Sequence, residues 1–292
     1  DGIRDVERSR GLGDVYKRQF MGFLADEKGL KEFFCLKGAG GLRFCPHCTN
    51  VVNKVQLPDD CPAVGLDDPD RSRFDRCTNR LFSGMLTSLH GLSAGSRKRL
   101  DEAEVDYGIH YDPHSMFVDP MLKPILNPMD NYIRDPQHTL FSTGVAESEV
   151  AGVMIELRRH GYSLEDFKRY SMNYPVPKRA NKIDSNWFKT NMFSQFGTKH
   201  FAGDMISMAL LLGAFLEDEV APGIMDRHIE CFALLVQITL ITVSSGDATP
   251  SVIAALRVAV DKQAAIFREI YSEPKYYKVK CHHFRQRRRM KF

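Results

Sequence analysis

The spacing of apolar residues changes along this chain. Residues 20–25 read Phe-Met-Gly-Phe-Leu-Ala, a run too short for a helix, and Asp26 closes it. Residues 27–36 then place Leu30, Phe33 and Phe34 at helical spacing. The pattern predicts a buried strand, a carboxylate at its end and an amphipathic helix. Gly38, Gly40 and Gly41 are expected to stop that helix, and Cys45-Pro46-His47-Cys48 to form a tight knuckle. Residues 57–73, rich in Pro and Asp, predict an exposed loop. Helices are expected over 74–89 and 97–105, parted by a Gly/Ser break at 91–96. The four prolines within 112–135 predict an irregular crossing segment with one helical turn.

From residue 135 the pattern becomes helical. Val145, Val150, Val153, Met154 and Leu157 share one helical face, and Ser163 with Asp166 three residues later has the form of a capping box. Residues 199–220, 225–244 and 250–271 predict three longer helices, the first two apolar on nearly every face. Such helices need neighbours around them, so residues 135–271 are expected to form an all-helical unit. The longest apolar stretches, 205–216 and 232–243, are each about a dozen residues, against roughly 20 for a membrane span, and no membrane partner is expected. The fold class expected is α+β, predominantly helical.

Composition narrows the picture. The 292 residues are 43% hydrophobic and 26% charged, a balance that allows a sizeable core in one large domain or two smaller ones. Among seven cysteines only Cys45 and Cys48 are close in sequence, which argues for a reducing compartment and against a secreted disulfide framework. Eight Lys or Arg and no Asp or Glu follow Pro274, so the overall +3 becomes −5 for everything before it. Residues 1–19 contain Gly11-Leu12-Gly13-Asp14-Val15-Tyr16-Lys17-Arg18-Gln19, which resembles translated sequencing-adapter artefact. They are set aside from the fold, and the natural sequence is expected to extend upstream of Phe20.

Several residues could carry chemistry. Asp26 at a strand end could ligate Mg²⁺ through its oxygens, or merely cap the helix at Glu27. Cys45 and Cys48 are spaced for two thiolates on one Zn²⁺, with a redox pair or unconnected core cysteines as the alternatives. His282 and His283 could supply the missing ligands, whereas His47 reads as a knuckle side chain. Asp135 followed by Pro136 is how many helices begin, without further function. Trp187 with Phe188, Phe193 and Phe196 suggests an aromatic cluster between helices. Arg285, Arg287, Arg288 and Arg289 could contact phosphates, or form a solvated end or out-of-frame translation.

These residues fit a family pattern. The order strand, Asp26, helix, Leu36-Lys-Gly-Ala-Gly-Gly41, Cys45-Pro-His-Cys48 resembles the segment around the second catalytic Asp of eukaryotic DDE/D transposases. These include CACTA-like elements and the core shared with the V(D)J recombinase. There a CxxC follows that Asp by about twenty residues; here Cys45 follows Asp26 by 19. The run Arg134-Asp-Pro-Gln-His-Thr-Leu140 resembles the (Cys/Asp)-x-x-His signature of such enzymes, which makes Asp135 and His138 a motif of unassigned role. Residues 274–284 resemble the His-rich strand that returns from a helical insertion to complete a Cys₂His₂ site.

The resemblance implies a partial RNase H-like core over 20–134, a large all-helical insertion domain over 135–272, and a return strand with a basic tail over 273–292. It implies Mg²⁺ or Mn²⁺ at a catalytic Asp26, and structural Zn²⁺ on Cys45, Cys48, His282 and His283. It also implies transposon-end and target DNA as partners, self-association, a nuclear location and no small-molecule substrate. The first and third catalytic carboxylates are expected outside the chain, which would by itself be inactive. A second reading is a domesticated or degenerate relative that binds DNA or protein without cutting; the charge of −5 before Pro274 favours it. A plain helical interaction protein is a third.

Overall fold

The computed structural model describes residues 23–25, 27–58, 60–142, 144–175, 188, 202–244, 249–273 and 276–285. Two short strands, β1 (Phe23–Ala25) and β2 (Tyr132–Arg134), pair in parallel, Phe23 opposite Tyr132 and Ala25 opposite Arg134. Parallel neighbours need a crossover connection. Here it carries α1 (Glu27–Phe33), α2 (Asn79–Ser93), α3 (Arg97–Tyr107) and α4 (Pro128–Asn131). Helix α1 stops short of residue 36: Cys35 adopts a left-handed φ of 53°, and Leu36 bridges to Ile109, so the chain turns before its glycines. Asp26 lies outside the described residues.

Gly108 ends α3 with φ 70°, and a Cβ there would lie 1.5 Å from the carbonyl oxygen of Arg43. Only glycine lets the two backbones cross so closely. That crossing aims residues 43–48 inward. Beside it the buried carboxylate of Glu104 accepts from Lys37 Nζ at 2.9 Å and from the Tyr111 backbone N–H at 2.8 Å.

The second half is helical: α5 (Pro136–Leu140), α6 (Val145–Arg159), α7 (Leu164–Asn173), α8 (Ala202–Glu219), α9 (Asp226–Ser244), α10 (Pro250–Ile270) and α11 (Val279–Arg285). The capping box at Ser163 is the one the sequence predicts, and Thr249 adds a cap. Ser163 and Asp166 form a complete capping box, and Thr249 accepts from the Val252 N–H at 3.3 Å with Pro250 at the first helical position. Val150 and Val153 of α6, Met205 and Leu212 of α8, Phe232 and Leu235 of α9 and Val260 of α10 share one buried cluster. Each such burial is worth about 1.5–3 kcal/mol.

Four expectations need correction. Enclosure of the apolar helices is incomplete, since Leu240 and Val243 of α9 are 46% and 48% exposed. Helix α9, with a mean hydropathy of 1.3, is also long and apolar enough to cross a membrane by length and composition, the one such helix among the described residues. Its Cys231, Phe232, Leu235 and Ile238 are nevertheless fully buried against neighbouring helices. Residues 57–73 are not all exposed: Val64, Leu66, Asp67 and Asp68 are buried, and the first two pack with Cys45 and Cys48. The expected return strand is instead helix α11, because helical spacing sends both Cys281 and Phe284 into the bundle core. Trp187, Phe193 and Phe196 fall outside the described residues, while Phe188 packs on Phe167 at 5.7 Å between centroids.

Glu149 of α6 is fully buried, accepting from Gln263 Nε2 at 2.6 Å while its other oxygen has no hydrogen-bond partner among the described residues. Burial pushes its carboxyl up to about 8, so the fold keeps a proton that the unfolded chain releases near 4.5. A folded-state pKa above the unfolded one means that this contribution to stability is lost as pH rises between those values. Denaturant unfolding of Glu149→Gln should therefore show a higher midpoint than the parent at pH 8 and a smaller gap at pH 5. An equal gap at both values would contradict a protonated Glu149.

Candidate metal centre

The knuckle is held by its own backbone and by the chain beside it. The Cys48 N–H donates to the Cys45 carbonyl at 3.3 Å, the Cys77 N–H to the His47 carbonyl at 2.8 Å, and Cys48 bridges to Arg76. Cys45 and Cys48, 3% and 5% exposed, therefore point into one buried cluster with Val51, Val64 and Leu66. Ile266 and Phe267 of α10 and Tyr276 and Tyr277 ahead of α11 complete it.

Helix α11 arrives from the other end of the sequence. Lys278 Nζ meets Glu147 of α6 at 2.8 Å and Lys280 Nζ donates to the Ser142 carbonyl at 2.6 Å. Cys281 and Phe284 fill the bundle, which leaves His282 to face the knuckle. Its ring sits edge-on to Phe74 and Phe44, at 4.8 and 5.4 Å between centroids, and its Nε2 lies 3.6 Å from Cys48 Sγ.

One donor atom each from Cys45, Cys48 and His282 lies within 4.8 Å of the other two, all buried. This Cys₂His group could hold a metal ion such as zinc. Tetrahedral zinc with Zn–S near 2.3 Å and Zn–N near 2.05 Å separates a sulfur from a nitrogen ligand by about 3.6 Å. The observed separation of Cys48 and His282 fits that edge. His283 lies outside this three-residue group; it interacts with Cys45, and its Nε2 is buried with no hydrogen-bond partner among the described residues.

The electrostatics suit a cation held by thiolates. Burial works against ionising Cys45, but Cys48, the Arg134 guanidinium and the two histidines overcome it and hold the thiol well below its ordinary value. Burial and the charge of Arg134 push His283 down to about 3, so both conditions for ligation, thiolate and neutral imidazole, are favoured. Cys77, nearby, is pushed up to about 11 by burial and by Cys45, and donates weakly to the Thr78 carbonyl. It stays a thiol.

Arg134 is the residue that sequence reasoning missed. Its Nη2 donates to Cys45 Sγ at 3.3 Å and its guanidinium carbon lies 5.2 Å from the Tyr132 ring centroid. Alternation along β2 places Tyr132 and Arg134 on one face, a signal available in a three-residue strand only once the strand is known. Asp135 follows directly and caps α5, accepting from the Gln137 N–H at 2.8 Å through one oxygen while the other bonds His138 Nδ1. The capping role foreseen for Asp135 is thus present, and the pairing with His138 is added to it. His47 lies edge-on to Tyr132 at 5.2 Å, outside the ligand group. Arg287, Arg288, Arg289 and the side chain of Arg285 lie outside the described residues.

No protein-family model matches the chain, and comparison with curated proteins and with solved structures returns no match.

Purified chain should retain about one zinc per molecule after exhaustive dialysis, measured by plasma emission. Cys48→Ala and His282→Ala should each remove it and lower the melting temperature, while His47→Ala should leave both unchanged. Equal zinc loss in the His47 variant would overturn the ligand assignment.

Proposed function

We propose that this chain is part of a DNA-cleaving and strand-transferring enzyme of the cut-and-paste transposase kind. One observation carries the reading. Cys45 and Cys48, placed 19 and 22 residues after Asp26, meet His282 from the far side of a run of helices. That is the zinc arrangement the motif resemblance implies. The parallel pairing of β1 with β2 lends further support, since each strand is followed in the sequence by an aspartate, Asp26 and Asp135.

In this reading Asp26 would be one of three carboxylates holding two Mg²⁺ or Mn²⁺ ions, which would supply in-line attack on a phosphodiester. The chain's own residues have narrower tasks. Cys45, Cys48, His282 and His283 would hold structural zinc, because four protein ligands leave no position for substrate. His283 is the fourth ligand, its imidazole kept neutral. Arg134 offsets thiolate charge at Cys45, and the helices contact transposon ends or a second subunit in the nucleus.

The charge of −5 before Pro274 favours a second reading, a relative that binds DNA or protein without cutting. The two separate in one assay. With the reading frame extended on both sides, the protein should nick end-labelled transposon-terminus DNA in Mn²⁺, and Asp26→Asn should lower the rate at least about a thousandfold. Equal rates for the parent and Asp26→Asn, or DNA binding with no cleavage, would leave only the non-catalytic reading.

A further inference from the structure

A cleft of about 700 Å³ opens between α7 and the C-terminal end of α8, remote in sequence from the knuckle. Its floor is Phe215, buried, with Tyr170 edge-on at 5.3 Å and Tyr162 edge-on at 6.3 Å between centroids. Tyr174, tilted against Tyr170 at 5.5 Å, also lines the cleft, so four aromatic rings meet there among the described residues, and Asp218 and Glu219 stand on its rim.

The rim is electrostatically unbalanced. Helix α8 ends in Glu217-Asp218-Glu219 with no basic residue in its last turn. The carbonyl end of a helix already carries partial negative charge and is stabilised by cations, so three successive carboxylates there repel both it and one another. Among the described residues, no Lys or Arg forms an ion pair with any of the three. Arg169, the one basic residue among the described residues that line the cleft, is engaged by Asp166. Among the described residues Asp218 is met by a neutral group, the Tyr170 hydroxyl, which donates to it. Tyr162 donates to the Glu219 backbone carbonyl at 3.3 Å, not to its carboxylate.

Aromatic faces and carboxylates together describe a receptor for one kind of guest. A weakly hydrated organic cation is attracted to the rings and can bond the carboxylates. A phosphate would be repelled by the rim, and a purely apolar group would leave the carboxylates unmet. We propose that this cleft binds an arginine side chain presented by a basic peptide segment of a protein partner. Its planar guanidinium stacks against the partly exposed Tyr170 and Tyr174 rings, since Phe215 beneath is buried, while its N–H groups bond Asp218 and Glu219. The inference is independent of the zinc centre and of nuclease chemistry.

The test uses the full chain and a fluorescein-labelled Gly/Ser peptide carrying one central arginine, followed by anisotropy. Binding should be saturable, should weaken as salt rises, and should drop at least about fivefold when citrulline replaces the arginine. Glu219→Gln should weaken the arginine peptide by a similar factor, yet raise the melting temperature of the free protein by relieving repulsion at the helix end. Equal affinity for arginine and citrulline peptides, no saturable binding, or undiminished binding to Glu219→Gln would overturn the proposal. A lower melting temperature for that variant would remove its premise.

Discussion

Cys48 and His282 are 234 residues apart in sequence and 3.6 Å apart in space, and the arrangement of the protein depends on keeping them there. Closing a loop of that length costs on the order of 5 kcal/mol of chain entropy. A thiol–imidazole hydrogen bond, at about 0.5–1.5 kcal/mol, cannot offset it alone. Structural zinc, at roughly 10–16 kcal/mol in small zinc-binding peptides, can. Packing of Cys281 and Phe284 into the bundle and the contact of Lys278 with Glu147 assist the closure. A metal ion held by Cys45, Cys48 and His282 would add to that closure.

Arg134 connects the strands to the knuckle. A buried guanidinium without an anion would be strongly destabilising, by about 3–5 kcal/mol when a partner is removed. Here Cys45 supplies the anion and, with Tyr132, holds the guanidinium above its ordinary value against burial. The register of β1 and β2 is thereby linked to the ligand set, because Arg134 pairs with Ala25 through its backbone and with Cys45 through its side chain. In the transposase reading, zinc would thus fix strand ends as well as the return helix.

Much of this was legible in the sequence where a local rule governs. Apolar periodicity located α6, α8, α9 and α10, and the capping box at Ser163 located the start of α7. CxxC spacing identified half the metal group, and two adjacent histidines near the far end were the natural partners. Long-range packing hid the rest. The resemblance implied a return strand over residues 274–284, yet the core takes Cys281 and Phe284 on one helical face. Pro and Asp made residues 57–73 read as an exposed loop, yet Val64 and Leu66 line the knuckle. The role of Arg134 depends on a thiolate 89 residues away, which no window of the sequence contains.

X-ray absorption at the zinc edge of the purified, zinc-loaded chain tests the central claim most directly. The account predicts a first shell of two sulfurs near 2.3 Å and two imidazole nitrogens near 2.05 Å. A shell of oxygen and nitrogen alone, or one with a single sulfur, would contradict it.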